Sequence, residues 1–199
     1  MAIVVEHDKR RKEILEKALE LFTKEGYDDV TFQKIADSCG ITRTTLYIYF
    51  KNKREIFVWS IKQMTEGMEK KLVEIIHEKD LTAEQCLRRI MIWILDECEA
   101  NRALFNVLLV YLINLKKTGE NTEELVNRRI LRAKHLLNMI IIGGQKRGEF
   151  KKENIKEVSS MFYGLIETAI FELAVIGKPD VSDTKETLEI MIQGILSEN

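Results

Sequence analysis

Phe32-Gln33-Lys34-Ile35-Ala36-Asp37-Ser38-Cys39-Gly40-Ile41-Thr42-Arg43-Thr44-Thr45-Leu46-Tyr47-Ile48-Tyr49-Phe50 is the stretch on which the fold depends. Apolar residues at helical spacing, Phe32, Ile35, Ala36 and Cys39, precede Gly40, and Ile41 and Leu46 return to the same small core after it. A small side chain at Ala36 lets two helices cross closely. Gly40, four residues later, can take the left-handed conformation that a tight turn demands. Thr31 and Thr42 stand where helix N-caps belong. The pattern is that of a helix-turn-helix whose second helix crosses the first steeply, polar face outward. That face bears Arg43, Thr44, Thr45, Tyr47 and Tyr49.

Helical signals continue on both sides. Ile14, Leu15, Ala18, Leu19 and Phe22 predict a first helix over residues 8–25, stopped by Gly26. After Phe50 comes a polar break, with Asn52 the cap of a fourth helix reaching about His77. Five more are expected over residues 82–100, 102–117, 122–147, 153–176 and 183–196, with Gly148 and Gly177 as stops and Thr82 and Asp183 as caps. The single proline among 199 residues, Pro179, falls between helices. The fold class is all-α, nine helices in two domains: a helix-turn-helix unit over residues 1–53 and a larger helical body over 54–199. Three dispersed cysteines, Cys39, Cys86 and Cys98, read as buried small hydrophobes of a reducing cytoplasm. No signal segment is recognisable, and the longest apolar runs fall short of the ~18 residues of a membrane span. A cytoplasmic chain with no membrane partner is expected.

Charge supports a nucleic-acid partner despite a net value of −1. Residues 1–54 carry 11 basic and 9 acidic side chains, whereas residues 55–199 carry 20 and 23. Between Asp37 and Glu55 there is no acid, while Arg43, Lys51, Lys53 and Arg54 make the window +4. A local basic patch suffices for phosphate contact. Lys9-Arg10-Arg11-Lys12 forms a second cluster that fits either phosphate contact or a frayed helix start. Arg43 is the best candidate for bidentate contact with a guanine, worth ~1–3 kcal/mol of discrimination. Thr44 or Thr45 offers a methyl to thymine, and Phe50 reads as a core aromatic.

The run Ile14 to Phe22, with Gly26-Tyr27, Thr31-Phe32, Ile35-Ala36, Gly40-Ile41 and Thr45-Leu46-Tyr47-Ile48-Tyr49-Phe50-Lys51-Asn52-Lys53, resembles the DNA-binding domain of the tetracycline-repressor (TetR) family over residues 8–57. The resemblance implies a cytoplasmic homodimeric repressor that binds double-stranded operator DNA and is released by a small ligand. It gives Thr31 the role of a phosphate-contacting cap, and Arg43, Thr44 and Thr45 the start of the recognition helix. Tyr47 becomes a backbone contact and Lys53 a phosphate ligand. Thr44 stands where the family often has Gly or Ala, and Tyr49 where it often has His.

In the body, Met64, Met68, Trp93, Phe105, Tyr111, Met139 and Phe162 are candidates to line an apolar effector pocket, with Trp59 and Phe171 in the same core. His135, Tyr163 and Glu167 would orient the ligand. Gly143-Gly144 inside a helix implies a kink or a close helix approach. The eighth helix is apolar on two faces: Val158, Phe162, Leu165, Ala169 and Leu173 on one, Met161, Thr168, Phe171 and Val175 on the other. With Leu188, Met191, Ile192 and Ile195 of the last helix, the surplus face predicts a homodimer through the last two helices. An enzyme is disfavoured. The histidines His7, His77 and His135 are dispersed, and no HExxH, repeated Glu-x-x-His, Gly-rich phosphate loop or GxSxG occurs, so neither metal nor cofactor is expected. The remaining alternative is a helical protein-interaction module that binds no DNA.

Overall fold

The computed structural model describes residues 2–78, 80–120 and 122–197, with side chains outside residues 2–5 and 122–130. Among the described residues nine α-helices follow one another: α1 (Ala2–Glu25), α2 (Phe32–Ser38), α3 (Arg43–Tyr49), α4 (Lys53–Ile76), α5 (Ala83–Ala100), α6 (Arg102–Lys117), α7 (Thr122–Arg147), α8 (Ile155–Phe171) and α9 (Ser182–Ile195). The chain is all-α, as its helical signals predict. Its two compact units divide between Lys71 and Leu72, inside α4.

The reason for that division lies in the first half of α4. Ile56, Phe57, Ser60 and Ile61 are buried, and the Ser60 hydroxyl donates to the Leu15 carbonyl at 2.9 Å. Gln63 adds a bond to the Lys12 carbonyl. The core of the N-terminal unit joins these to Ile14, Leu15, Ala18 and Phe22 of α1, Ile35 and Ala36 of α2, Leu46 of α3, and Phe50. Phe22 and Phe57 meet edge to face, centroids 4.9 Å apart. α1 also begins earlier than predicted, at Ala2 instead of near residue 8.

In the second unit α5 contacts α6, α7, α8 and α9, with its buried residues recurring at helical spacing from Ala83 to Cys98. Cys86, Leu87, Ile90, Met91 and Leu95 of α5 meet Leu137, Ile140 and Ile141 of α7, and Phe162, Leu165 and Ala169 of α8. α6 is different. Its Leu104, Tyr111 and Leu115 are buried, while Val110 and Ile113 face outward. The three cysteines are buried and free of disulfides. Burial, with Glu97 beside it, pushes the Cys98 thiol up to about 12, so it stays protonated and unreactive at neutral pH.

The corner between α7 and α8 joins three helix ends. Gly148 turns with φ +76°, and the Glu149 carboxylate accepts from the backbone N–H groups of Ala83 and Glu84. That carboxylate reinforces the Thr82–Gln85 capping box of α5. Burial opposes its ionisation, but the Arg147 guanidinium and the two N–H groups outweigh burial and hold the carboxyl below its ordinary range. Lys151 N donates to the Ile195 carbonyl, and Ser197 N to the Glu149 carbonyl, fastening the end of α9 to the same corner.

Three predicted features of the C-terminal helices are corrected. α8 does not run unbroken to residue 176; it passes at Glu172 into a π-helical turn, Glu172–Ile176. There Gly177 and Lys178 N–H groups share the Glu172 carbonyl, and Asn106 of α6 donates to the Ala174 carbonyl. α9 is not capped by Asp183. Its first residue is Ser182, the Glu99 carboxylate accepts from Val181 N, and Asp183 pairs with Lys178. Finally, Ile155–Ile176 is apolar and long enough to cross a membrane by length and composition, with mean hydropathy 1.4. Run lengths missed it because scattered Lys, Glu, Ser and Thr divide the stretch. Phe162, Leu165, Ile166 and Ala169 nevertheless seat its inner side in the protein core.

Of the paired glycines in α7, only Gly144 is required. A Cβ there would lie 2.2 Å from the Phe150 ring and 2.8 Å from the Ala83 Cβ, whereas at Gly143 it would meet only the Arg147 tip at 3.7 Å. Gly144 is therefore the close approach, and α7 runs through without interruption. Gly144→Ala should destabilise the protein by ~1–3 kcal/mol through overpacking. Gly143→Ala should leave it unchanged or stabilise it by up to ~1 kcal/mol. Thermal denaturation of the two variants checks the pair; equal melting temperatures would contradict the packing described here.

Candidate nucleic-acid interface

The outward face of α3 is fixed by its ends. At α2 the Thr31 hydroxyl accepts from Lys34 N at 3.1 Å. Gly40 follows with φ +66°, and Ile41 N closes back on the Ala36 carbonyl at 3.1 Å. Thr42 then caps α3, its hydroxyl accepting from Thr45 N at 3.1 Å and paired with the Thr45 hydroxyl at 2.8 Å. Leu46 is buried beneath, which leaves Arg43, Thr44, Tyr47 and Ile48 exposed and Thr45 and Tyr49 partly so.

The face is ordered by contacts among its own side chains. Tyr47, 51% exposed, lies against Phe32 with centroids 4.5 Å apart, and Arg43 Nη2 donates to its hydroxyl at 3.3 Å. The Arg43 guanidinium also lies over the Tyr47 ring, 5.8 Å from the centroid. Tyr49 is stacked on His7 of α1 at 4.5 Å. Phe50 is buried, as a core aromatic should be.

The cations divide into two groups. Lys51 is exposed, and its backbone N–H donates to the Glu55 carboxylate while Asn52 Oδ1 accepts from Glu55 N, a reciprocal cap on α4. Lys53 is turned inward: its ammonium donates to the Tyr27 carbonyl at 2.8 Å and the Asp28 carbonyl at 3.3 Å, over the Tyr27 ring. In the N-terminal cluster, Arg10 bonds Glu13 and the Cys39 carbonyl at the end of α2. Arg11 lies over the rings of Phe50 and Trp59. Lys9 and Lys12 are exposed. The internal uses of Arg10 and Arg11, with Phe32 and His7 as stacking partners, were not legible from spacing, because they join residues distant in sequence.

The effector candidates are dispersed. Met64 and Met68 are half-buried on α4 in the N-terminal unit. In the body Tyr111 and Phe162 are buried, Trp93, Phe105 and Tyr163 half-buried, and His135, Met139 and Glu167 exposed. Phe171, read as core, is 53% exposed. Burial above all, then the charges of Glu167 and Cys98, pushes the Tyr163 phenol up to about 12. A cleft of about 720 Å³ opens between the end of α7 and the start of α8, lined by Ile142, Gln145, Lys146, Arg147, Lys152 and Ile155 among others, and contains none of these candidates.

Lys51 and Lys53 should therefore behave differently. Lys53→Ala should lower unfolding stability by ~1 kcal/mol, the worth of a typical hydrogen bond. Lys51→Ala should stay within ~0.5 kcal/mol of the unmodified protein, as an exposed site does. Urea denaturation of both checks this, and equal losses would refute the assignment.

Known proteins share this architecture. Residues 14–58 match the sequence profile of bacterial regulatory proteins, tetR family. Over 186 residues the chain is 24% identical to the fatty acid metabolism regulator protein of Bacillus subtilis, covering 92% of this chain and 94% of that one. Over 52 residues it is 36% identical to the negative transcriptional regulator of the biofilm operon icaADBC of Staphylococcus aureus, 26% of this chain and 28% of that one. A TetR transcription regulator from Haloarcula marismortui superposes with a TM-score of 0.84 at 17% identity, over 96% of this chain and 100% of that one. Residues 14–58 thus carry the helix-turn-helix sequence of the tetR family, and the chain along its length has the helical fold of regulators of that family.

Proposed function

We propose that the protein is a cytoplasmic homodimeric repressor that reads a palindromic operator and leaves it when a small, largely apolar effector binds the body. The observation that carries the reading is the exposed face of α3, where Arg43, Thr44 and Tyr47 lie next to exposed Lys51 and no carboxylate interrupts the sequence between Asp37 and Glu55. Arg43, Thr44 and Thr45 meet base edges. Thr31, Thr42, Tyr47, Tyr49, Lys51 and Lys53 lie along phosphates, Lys53 using the N–H that its two carbonyls leave over. DNA reading thus belongs to residues 1–53, with α4 to about Lys71 needed for their folding, and effector binding and dimerisation to the rest of 54–199.

Dimerisation through α8 is supported by a stripe at helical spacing, Met161, Gly164, Thr168, Phe171 and Val175. Its Met161, Phe171 and Val175 are exposed, while the opposite side of α8 fills the core. The contribution of α9 differs from the sequence expectation: Leu188, Ile192 and Ile195 are buried within their own chain, and Ile190, 74% exposed, is the outward apolar residue. An effector with an acyl chain fits the apolar body and the name of the Bacillus subtilis relative, the fatty acid metabolism regulator.

Binding to duplexes from the flanks of the protein's own coding region tests the reading. Affinity should fall steeply with salt, and Lys51→Ala should reduce the slope by ~1. Arg43→Ala should cost ~1–3 kcal/mol on the preferred duplex only. Phe171→Glu should give monomers in sedimentation and lose operator binding with helix content retained. Affinity insensitive to salt, or absent at low salt, would favour a protein-docking module instead.

A further inference from the structure

We propose that Phe32 is a positioning residue for base recognition, acting through Tyr47 on Arg43. The inference rests on the DNA contacts proposed above and adds a residue that makes none of them.

Phe32 opens α2, on the other helix of the motif, and has no hydrogen-bonding group with which to hold a phosphate or a base edge. Its ring is only half-buried, unlike Ile35 and Ala36, which enter the core. It meets Tyr47 instead, centroids 4.5 Å apart and planes inclined by 33°. Tyr47 is half in solvent and would otherwise exchange rotamers freely; the stack fixes its ring. The fixed phenol in turn offers Arg43 two contacts, a hydroxyl at 3.3 Å from Nη2 and a ring face under the guanidinium. Arg43 and Tyr47 are one helical turn apart, the spacing at which side chains on one face meet.

Long exposed arginines lose much rotamer freedom when they bind, and a contact that orders the side chain beforehand reduces that loss. Phe32, Tyr47 and Arg43 form such a chain of constraint from α2 to the reading face. The Thr31 cap sets its origin, because the bond to Lys34 N fixes the first turn of α2, where Phe32 stands. Bidentate recognition of a base is sensitive to the guanidinium plane, so loss of the buttress should weaken discrimination more than general attraction to DNA.

The test measures base preference by binding the full-length protein to a randomised duplex library, for the unmodified chain, Phe32→Ala, Phe32→Tyr, Arg43→Ala and Phe32→Ala/Arg43→Ala. Preference at the base pairs that flatten in Arg43→Ala should fall about fivefold in Phe32→Ala and return in Phe32→Tyr. The double variant should flatten no further than Arg43→Ala alone. Affinity of Phe32→Ala for one fixed non-preferred duplex at low salt should not change. Should Phe32→Ala fail to fold by circular dichroism, Phe32→Leu, which keeps bulk without an aromatic plane, carries the same expectations. An unaltered profile, a uniform loss at every base pair, or an equal loss in the Arg43→Ala background would overturn the proposal. If the unmodified chain enriches no sequence, the DNA contacts themselves are refuted and this inference with them. Enrichment by the unmodified chain with an unaltered Phe32 variant refutes the positioning role alone.

Discussion

A helix of seven residues does not hold itself, since nucleation costs more than so few internal hydrogen bonds return. α3 exists because Leu46 and Phe50 are sunk into the core built by Phe22, Ile35, Ala36 and Phe57, and because Thr42 caps its first turn. That anchoring is what everything on the outer face depends on. Ala36 is buried within the core, Gly40 supplies the left-handed turn at φ +66°, and the first half of α4 completes the core. A larger residue at Ala36, which is fully buried, would overpack that core.

The same requirement explains how the basic residues are used. Short helices leave several terminal carbonyls unsatisfied, and in the N-terminal unit cations from elsewhere supply the donors. Arg10 and Lys17 of α1 reach the Cys39 and Ser38 carbonyls at the end of α2, and Lys53 likewise holds the turn after α1 through the Tyr27 and Asp28 carbonyls. Arg11 covers Phe50 and Trp59 with its guanidinium plane, which packs as well as charges. Part of the positive charge that reads as phosphate affinity therefore holds the reading head together. Lys51 differs: it is exposed, and its backbone N–H donates to the Glu55 carboxylate.

The motif was legible in the sequence because its signals are local. Caps at Thr31, Thr42, Asn52 and Thr82, and turns at Gly26, Gly40, Gly148 and Gly177, each act within a few residues, and the structure has them there. What escaped was set by partners distant in the chain. Asp183 has a cap's chemistry, but Glu99 satisfies Val181 and Lys178 takes the aspartate. Periodicity grouped Leu188, Ile192 and Ile195 on one face of α9 without telling whether that face meets its own core or a second chain. Composition likewise named Trp93, Phe105 and Phe162 as apolar without separating packing from a cavity lining, and the structure disperses them between core and half-exposed positions.

The apolar surplus of the body and the small size of the reading head belong to one problem. About a third of the apolar window in Ile155–Ile176 is buried within the chain, and the outward stripe with Phe171 and Val175 leaves hydrophobic area facing water. Cover by an identical stripe is the simplest geometry, because a two-fold axis places the same patch on both partners and closes the assembly at two. One seven-residue helix, for its part, offers only a few side chains to base edges, too few for an operator to stand out among competing sites. In the proposed dimer a second copy related by the same axis would double those contacts on a duplex whose half-sites lie ~34 Å apart. In that dimer, the hydrophobic area left uncovered on α8 would supply the symmetry by which the few side chains of α3 read a specific site.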